Sequence, residues 1–207
     1  MTQNDNCSVE AVLGYWFGPK PAADEALSRN MKRWFGASAS SDREVQHRFA
    51  ATVEAAGSGR LDAWAAEPRG ALALIIVLDQ FPRQLFRHSA GAFQYDPQAL
   101  RVCLRGIGSG YDRELAPIER GFFLMPLQHA ESLDVQRRAV ALFEELADSE
   151  SSAQLRSCLA AFAQFAHRHH DIIRRFGRFP HRNRYLGRED TDSERAYLSE
   201  GGARFGQ

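Results

Sequence analysis

The chain has 207 residues, 44% hydrophobic and 11% aromatic, with 26 basic side chains against 26 acidic ones. This apolar content supports one substantial core, so a single domain over residues 1–207 is expected and a disordered chain is excluded. No run of about 18 apolar residues exists to span a bilayer, the start MTQNDNCSVE lacks the regions of a secretory signal, and the three cysteines form no C-x-x-C pair, so a cytoplasmic protein without membrane contact, disulfide framework or thiolate-held metal is expected.

Helical spacing begins with Val9, Val12, Leu13, Trp16 and Phe17, which Ser8 can cap and Gly18-Pro19 can end. A second amphipathic segment carries Leu27, Met31, Trp34 and Phe35 and stops at Gly36. The capping box Ser41-x-x-Glu44 predicts a third helix through Val45, Phe49 and Val53 to Gly57, and Leu61 to Ala66 reads as a short helical turn. Residues 70–81 run ALALIIVL into DQFPR and read as a central buried helix, broken or kinked at Pro82. Asp96 as cap and Pro97 as first helical residue start the next, which continues through Leu100, Cys103, Leu104 and Ile107 and stops in GIGSG. Pro117 starts a helix with Ile118, Phe122 and Met125 that Pro126 should perturb, and Ser132 caps one with Val135, Ala139, Leu142, Phe143 and Leu146. The longest is predicted from about Ser152 to Phe176, with Leu155, Leu159, Phe162, Phe165, His169, Ile172 and Phe176 on one face and Gly177 as a left-handed cap. A second box, Thr191-x-x-Glu194, precedes a short closing helix with Tyr197 and Leu198. About ten helices and no convincing strand make the class all-α, with antiparallel pairs stacked through short connections. W-F and A-x-x-F pieces recur without a clean repeat of about 34 residues, which leaves a degenerate helical-pair array.

One stretch stands apart. His167 to Arg188 holds seven arginines, four histidines and one acidic residue, while the rest of the chain has 19 basic against 25 acidic residues. Ile172, Ile173, Phe176, Phe179, Tyr185 and Leu186 are threaded through it, so it is a folded basic site and not a solvated tail. Arginine suits bidentate recognition of carboxylate or phosphate, which points to an anionic small molecule or an acidic peptide. An internal salt-bridge lattice with Asp79, Glu119 and Glu131 explains the same residues, and both readings stay open. Zero net charge argues against nucleic-acid binding by the whole surface, and the sequence assigns no oligomeric state.

Four blocks, Val12 to Gly18 (VLGYWFG), Leu72 to Phe86 (LALIIVLDQFPRQLF), Glu119 to Glu131 (ERGFFLMPLQHAE) and His169 to Arg188, together resemble the signature of the bacterial domain of unknown function 924 family. The string RFGRFPHRN is the most specific of these pieces. The resemblance implies an all-α, tetratricopeptide-like fold and no established reaction. Where the family usually has H-S-E this chain has His129-Ala130-Glu131, which removes a hydroxyl from any site built there.

The candidate ligand-binding residues are Arg83, His129, Glu131, His169, Arg175, Arg178, His181, Arg182 and Asn183, with Arg178, Arg182, Asn183 and His181 expected in one concave site. His169 reads either as a buried histidine bonded to a carbonyl or carboxylate, or as a general acid or base flanked by arginines. Asp79 at the end of the buried helix needs a cation, either Arg83 or an arginine of the last block. No catalytic residue, cofactor or metal is assigned: H-E-x-x-H, G-x-S-x-G, P-loop and Rossmann patterns are all missing, and metal would require His129, Glu131 and His181 to converge. GIGSG follows a helix and reads as a cap, not a phosphate cradle. The leading reading is a helical-repeat-like binding module, and the alternative is an enzyme using a histidine with flanking arginines on a phosphorylated or carboxylated substrate. A deep pocket with convergent His and Arg favours the enzyme; a long open groove favours the module.

Overall fold

The computed structural model describes residues 7–18, 30–31, 33–36 and 38–206. Among these, nine α-helices pack against one another, no strand occurs, and no helix is long and apolar enough to cross a membrane.

Helix α1 (Val9–Phe17) starts where Ser8 Oγ accepts the amide of Ala11 and stops at Gly18, whose φ of 88° a side chain would resist. Residues 30–31 and 33–35 are helical; the first part of the second expected segment lies outside the described residues. Trp34 donates its indole N–H to the Trp16 carbonyl at 2.9 Å, tying that stretch to α1. Helix α2 (Ala39–Gly57) begins before the expected capping box, because Ser38 Oγ already accepts the Ser41 amide and so serves as the cap.

The central segment differs from expectation at its end. Helix α3 (Pro68–Ile75) passes into a π turn (Ile76–Gln80), and α4 (Phe81–Leu85) follows with Pro82 inside its first turn. A proline in a regular helix would clash with the carbonyl four residues back. Here Phe81 N–H bonds to the Ile76 carbonyl, five residues back, and the inserted residue lets the chain continue through Pro82. The same turn holds Asp79 and Gln80, both buried.

Helix α5 (Asp96–Gly108) has Tyr95 at its cap position, so Asp96 is not the cap; its carboxylate is engaged by two arginines. Gly110, at φ 79°, turns the chain after it. Helix α6 (Pro117–Gln128) runs through Pro126, and α7 (Leu133–Asp148) follows Ser132, whose side chain makes no capping bond. Helix α8 (Ala153–Phe176) is capped by Ser152 and closed by Gly177 at φ 71°. Helix α9 (Asp192–Ser199) forms behind the reciprocal Thr191–Glu194 box. The core centres on rings from different elements: Trp16 lies edge-on to Phe81 at 5.8 Å and to Phe122 at 5.5 Å, and Phe122 meets Phe162 at 5.6 Å. Burying each such ring contributes about 1.5–3 kcal/mol, and these contacts fix α1, α4, α6 and α8 around one space.

Candidate functional site: a cavity lined by three histidines

That space is a cavity of about 290 Å³. Its apolar lining includes Trp16 from α1, Trp34 and Phe35, and Phe162 and Phe165 from α8. Its polar lining includes Gln80 of the π turn, Arg83 and Gln84 of α4, Gln128 and His129 at the end of α6, His169 of α8, and His181 and Arg182 of a short 3-10 turn, Pro180–Arg182.

The polar side is organised by Asp79, which has no exposed surface. Its Oδ1 accepts from His129 Nδ1 at 2.7 Å and lies 3.5 Å from Arg83 Nη2, while Oδ2 accepts from Gln80 Nε2 at 2.5 Å. Burial pushes this carboxyl up, yet His129 and Arg83 together outweigh burial and hold it well below the usual carboxylate range. An ionised carboxylate only accepts, so the ring proton of His129 sits on Nδ1 and Nε2 keeps its lone pair. His169 has the same tautomer for the same reason, since Nδ1 is 2.7 Å from the Phe165 carbonyl. Neither Nε2 has a hydrogen-bond partner among the described residues, and His181 Nδ1 is buried without one.

All three imidazoles are driven toward the neutral form. Burial is the main cause at His129, with Arg83 adding to it and Asp79 opposing. Burial again leads at His169, reinforced by His129. Burial and then Arg182 and Arg83 bring His181 down to about 3. The guanidiniums are matched by carboxylates. Arg83 donates to both oxygens of Asp96 at 2.9 and 3.2 Å and to the carbonyls of Asp79 and Ala92. Arg182 Nη1 donates to Asp96 at 3.0 Å while its guanidinium lies over the rings of Phe93 and Phe179 at 4.6 and 4.5 Å; its Nε is buried without a partner. Arg87 is paired with Asp42 at 3.0 Å. The cavity is therefore close to electrically neutral, and its imidazoles act as hydrogen-bonding and proton-accepting groups.

Of the residues singled out in the sequence, Arg83, His129, His169, His181 and Arg182 come together on this cavity, and Glu131, Arg175, Arg178 and Asn183 do not line it. Glu131 receives Arg188 at 2.6 and 2.9 Å and the Phe179 amide at 2.8 Å. Arg178 forms a two-pronged pair with Glu194 at 2.7 and 2.8 Å. Asn183 donates to Asp190 at 2.6 Å and accepts from Arg188, and Arg175 lies over the rings of Phe176 and Tyr197. Glu119 pairs with Arg69 instead of the block. Among the described residues, no three metal-ligating side chains converge.

Sequence reasoning passed over Asp96, which reads as a cap because Asp-Pro opens so many helices, and over Gln84 and Gln128. It also placed Phe165 inward, whereas Phe165 borders the cavity with 37% of its surface exposed. The last residues carry no signal at all, yet Phe205 stacks on His169 with ring centroids 3.8 Å apart, and the Gly206 carbonyl accepts from Arg87 at 3.0 Å. The run DQFPRQ, four polar groups within a buried helix, was the available pointer to the site.

A family model described as bacterial protein of unknown function, DUF924, matches residues 12–202. A solved structure of a protein of unknown function from Agrobacterium tumefaciens is 36% identical, covers 84% of this chain and 93% of its own, and superposes with a TM-score of 0.74. Among curated proteins none matches.

Proposed function

The chain belongs to the DUF924 family of bacterial proteins of unknown function, and from the geometry of its cavity we propose that it binds a small organic acid: an apolar, preferably aromatic, body carrying one carboxylate or phosphate. One observation carries the reading. A single cavity of about 290 Å³ joins an aromatic lining to a polar one of three imidazoles and three arginines. Its size is near the lower end of ligand pockets, about 300–1,000 Å³, which suits a small molecule better than an acidic peptide. Trp16 Nε1, Gln84 Oε1, Gln128 Oε1 and Arg182 Nε belong to cavity-lining residues and have no hydrogen-bond partner. Buried polar groups without partners cost about 1–3 kcal/mol each, so the walls of the cavity are not optimised for stability alone.

Trp16 and Trp34 are two of the three tryptophans and both border the cavity, so the protein carries its own reporter. Titration with benzoate and with phenyl phosphate should quench tryptophan fluorescence saturably, sodium chloride at matched ionic strength should not, and Phe165→Ala should weaken binding. A flat response to both acids, or one that chloride reproduces, contradicts the proposal.

A further inference from the structure

A histidine whose Nδ1–H is held by a fully buried carboxylate, and whose Nε2 is left without a protein partner beside a ligand-sized cavity, has the arrangement of a general base. Asp79 and His129 meet these conditions at 2.7 Å. We infer that Asp79 and His129 form a general-base dyad and that the cavity hydrolyses a carboxylic ester with an apolar acyl group, releasing an organic acid. This deepens the small-molecule reading above and depends on it, with the acid as product.

The choice of hydrolysis follows from what borders the site. None of the described residues lining the cavity carries a hydroxyl or thiol, so the nucleophile has to be water. In the step, His129 Nε2 takes a proton from water as the water oxygen bonds to the acyl carbon. The tetrahedral intermediate then expels the alkoxide, which takes the proton back from the imidazolium. Ester and water become acid and alcohol, nothing is oxidised or reduced, and His129 returns to its starting form. Asp79 acts through His129 as a positioning residue: it fixes the tautomer and stabilises the imidazolium that forms transiently. Arg182 and Arg83 give the oxyanion and the product carboxylate cationic neighbours. The apolar lining by Trp34, Phe35, Phe162 and Phe165 selects the acyl group.

The groups facing His129 are Asp79 and Arg83 from the central segment, Asp96 from α5 and His169 from α8. Burial and Arg83 keep His129 neutral below its ordinary range, so the rate should already be on its plateau at pH 7 and fall only in acid.

The test uses the full chain with 4-nitrophenyl benzoate, following 4-nitrophenol release, with benzoate quenching of tryptophan fluorescence measured on the same samples. Parent protein should turn over, and benzoate should inhibit competitively. His129→Gln should lose about 100-fold or more, the usual worth of a general base. Asp79→Asn should lose about 10-fold or more and move the acid limb to lower pH, because the Asp79 charge raises the His129 pKa; a purely structural role would lower the rate without moving the limb. His170→Gln, which lies outside the cavity lining, should match the parent. Two results overturn the dyad: His129→Gln that still binds benzoate and hydrolyses at the parent rate, or a parent that binds benzoate without turnover. In the second case the binding reading survives and only the chemistry falls. A parent that neither binds benzoate nor turns over removes both.

Discussion

Two sets of arginine–carboxylate pairs use the same chemistry in different surroundings. In the outer pair, Arg188 with Glu131, the side chains keep 24% and 25% of their surface exposed and both are fully satisfied. In the inner set, Arg182 keeps 7%, Asp96 14% and Asp79 none, and the residues around them retain polar atoms without partners. The outer set holds the loop after α8 to the end of α6; the inner set borders empty volume. Arginine density in the sequence marks the first, and incomplete hydrogen bonding in a buried place marks the second. A charge cluster becomes a site candidate where burial leaves its hydrogen bonding unfinished.

The sharpest way to break the comparison is Asp79→Ala. It leaves the part-buried Arg83 with Asp96 as its remaining counter-charge and His129 without its acceptor, and should lower unfolding free energy by about 3 kcal/mol in urea denaturation. An unchanged midpoint would place Asp79 among the outer, dispensable charges.

Acid should act next most strongly, and on the inner set. His129, His169 and His181 have folded pKa values below the ordinary 6.5, His181 at about 3, so between those limits the unfolded state binds more protons and stability falls as pH falls. The slope should reach about 1.4 kcal/mol per pH unit for each histidine titrating this way, beginning near pH 6.5 and ahead of ordinary carboxylates. His181→Asn should flatten it. A stability curve that stays level from pH 7 to 5 would mean that these imidazoles are solvated and charged.

The smallest effect belongs to the outer set: Arg188→Gln should cost about 1 kcal/mol, as partly exposed pairs do, and leave benzoate quenching unchanged. A loss as large as that of Asp79→Ala would erase the distinction between the two regions.

The helices were largely readable in the sequence because each is written locally. Ser8, Ser152, Gly177 and the Thr191–Glu194 box act on residues within a turn of themselves, and the apolar spacing of α8 needs no knowledge of its neighbours. The passage through Pro82 was not readable, because it depends on a π turn whose presence no single residue dictates. His169 and Asp79 could be singled out as buried polar groups that need partners. The partners themselves come from far along the chain: His129 reaches Asp79 across 50 positions, and Asp96 joins Arg182 across 86. Seven arginines within 22 residues suggested one patch, and the turn at Gly177 with the loop beyond it sends Arg178, Arg182 and Arg188 to three separate carboxylates.

The central claim is that ligands enter the cavity and not the arginine-rich surface. Imidazole nitrogen chemical shifts of the full chain, recorded during a benzoate titration, test it most directly, because His129, His169 and His181 line the cavity while His167 and His170 belong to the arginine-rich stretch of α8 without lining it. The first three should shift together, saturably and with one affinity, and the last two should stay still. Shifts confined to His167 and His170, with the cavity histidines unmoved at saturating benzoate, would contradict it.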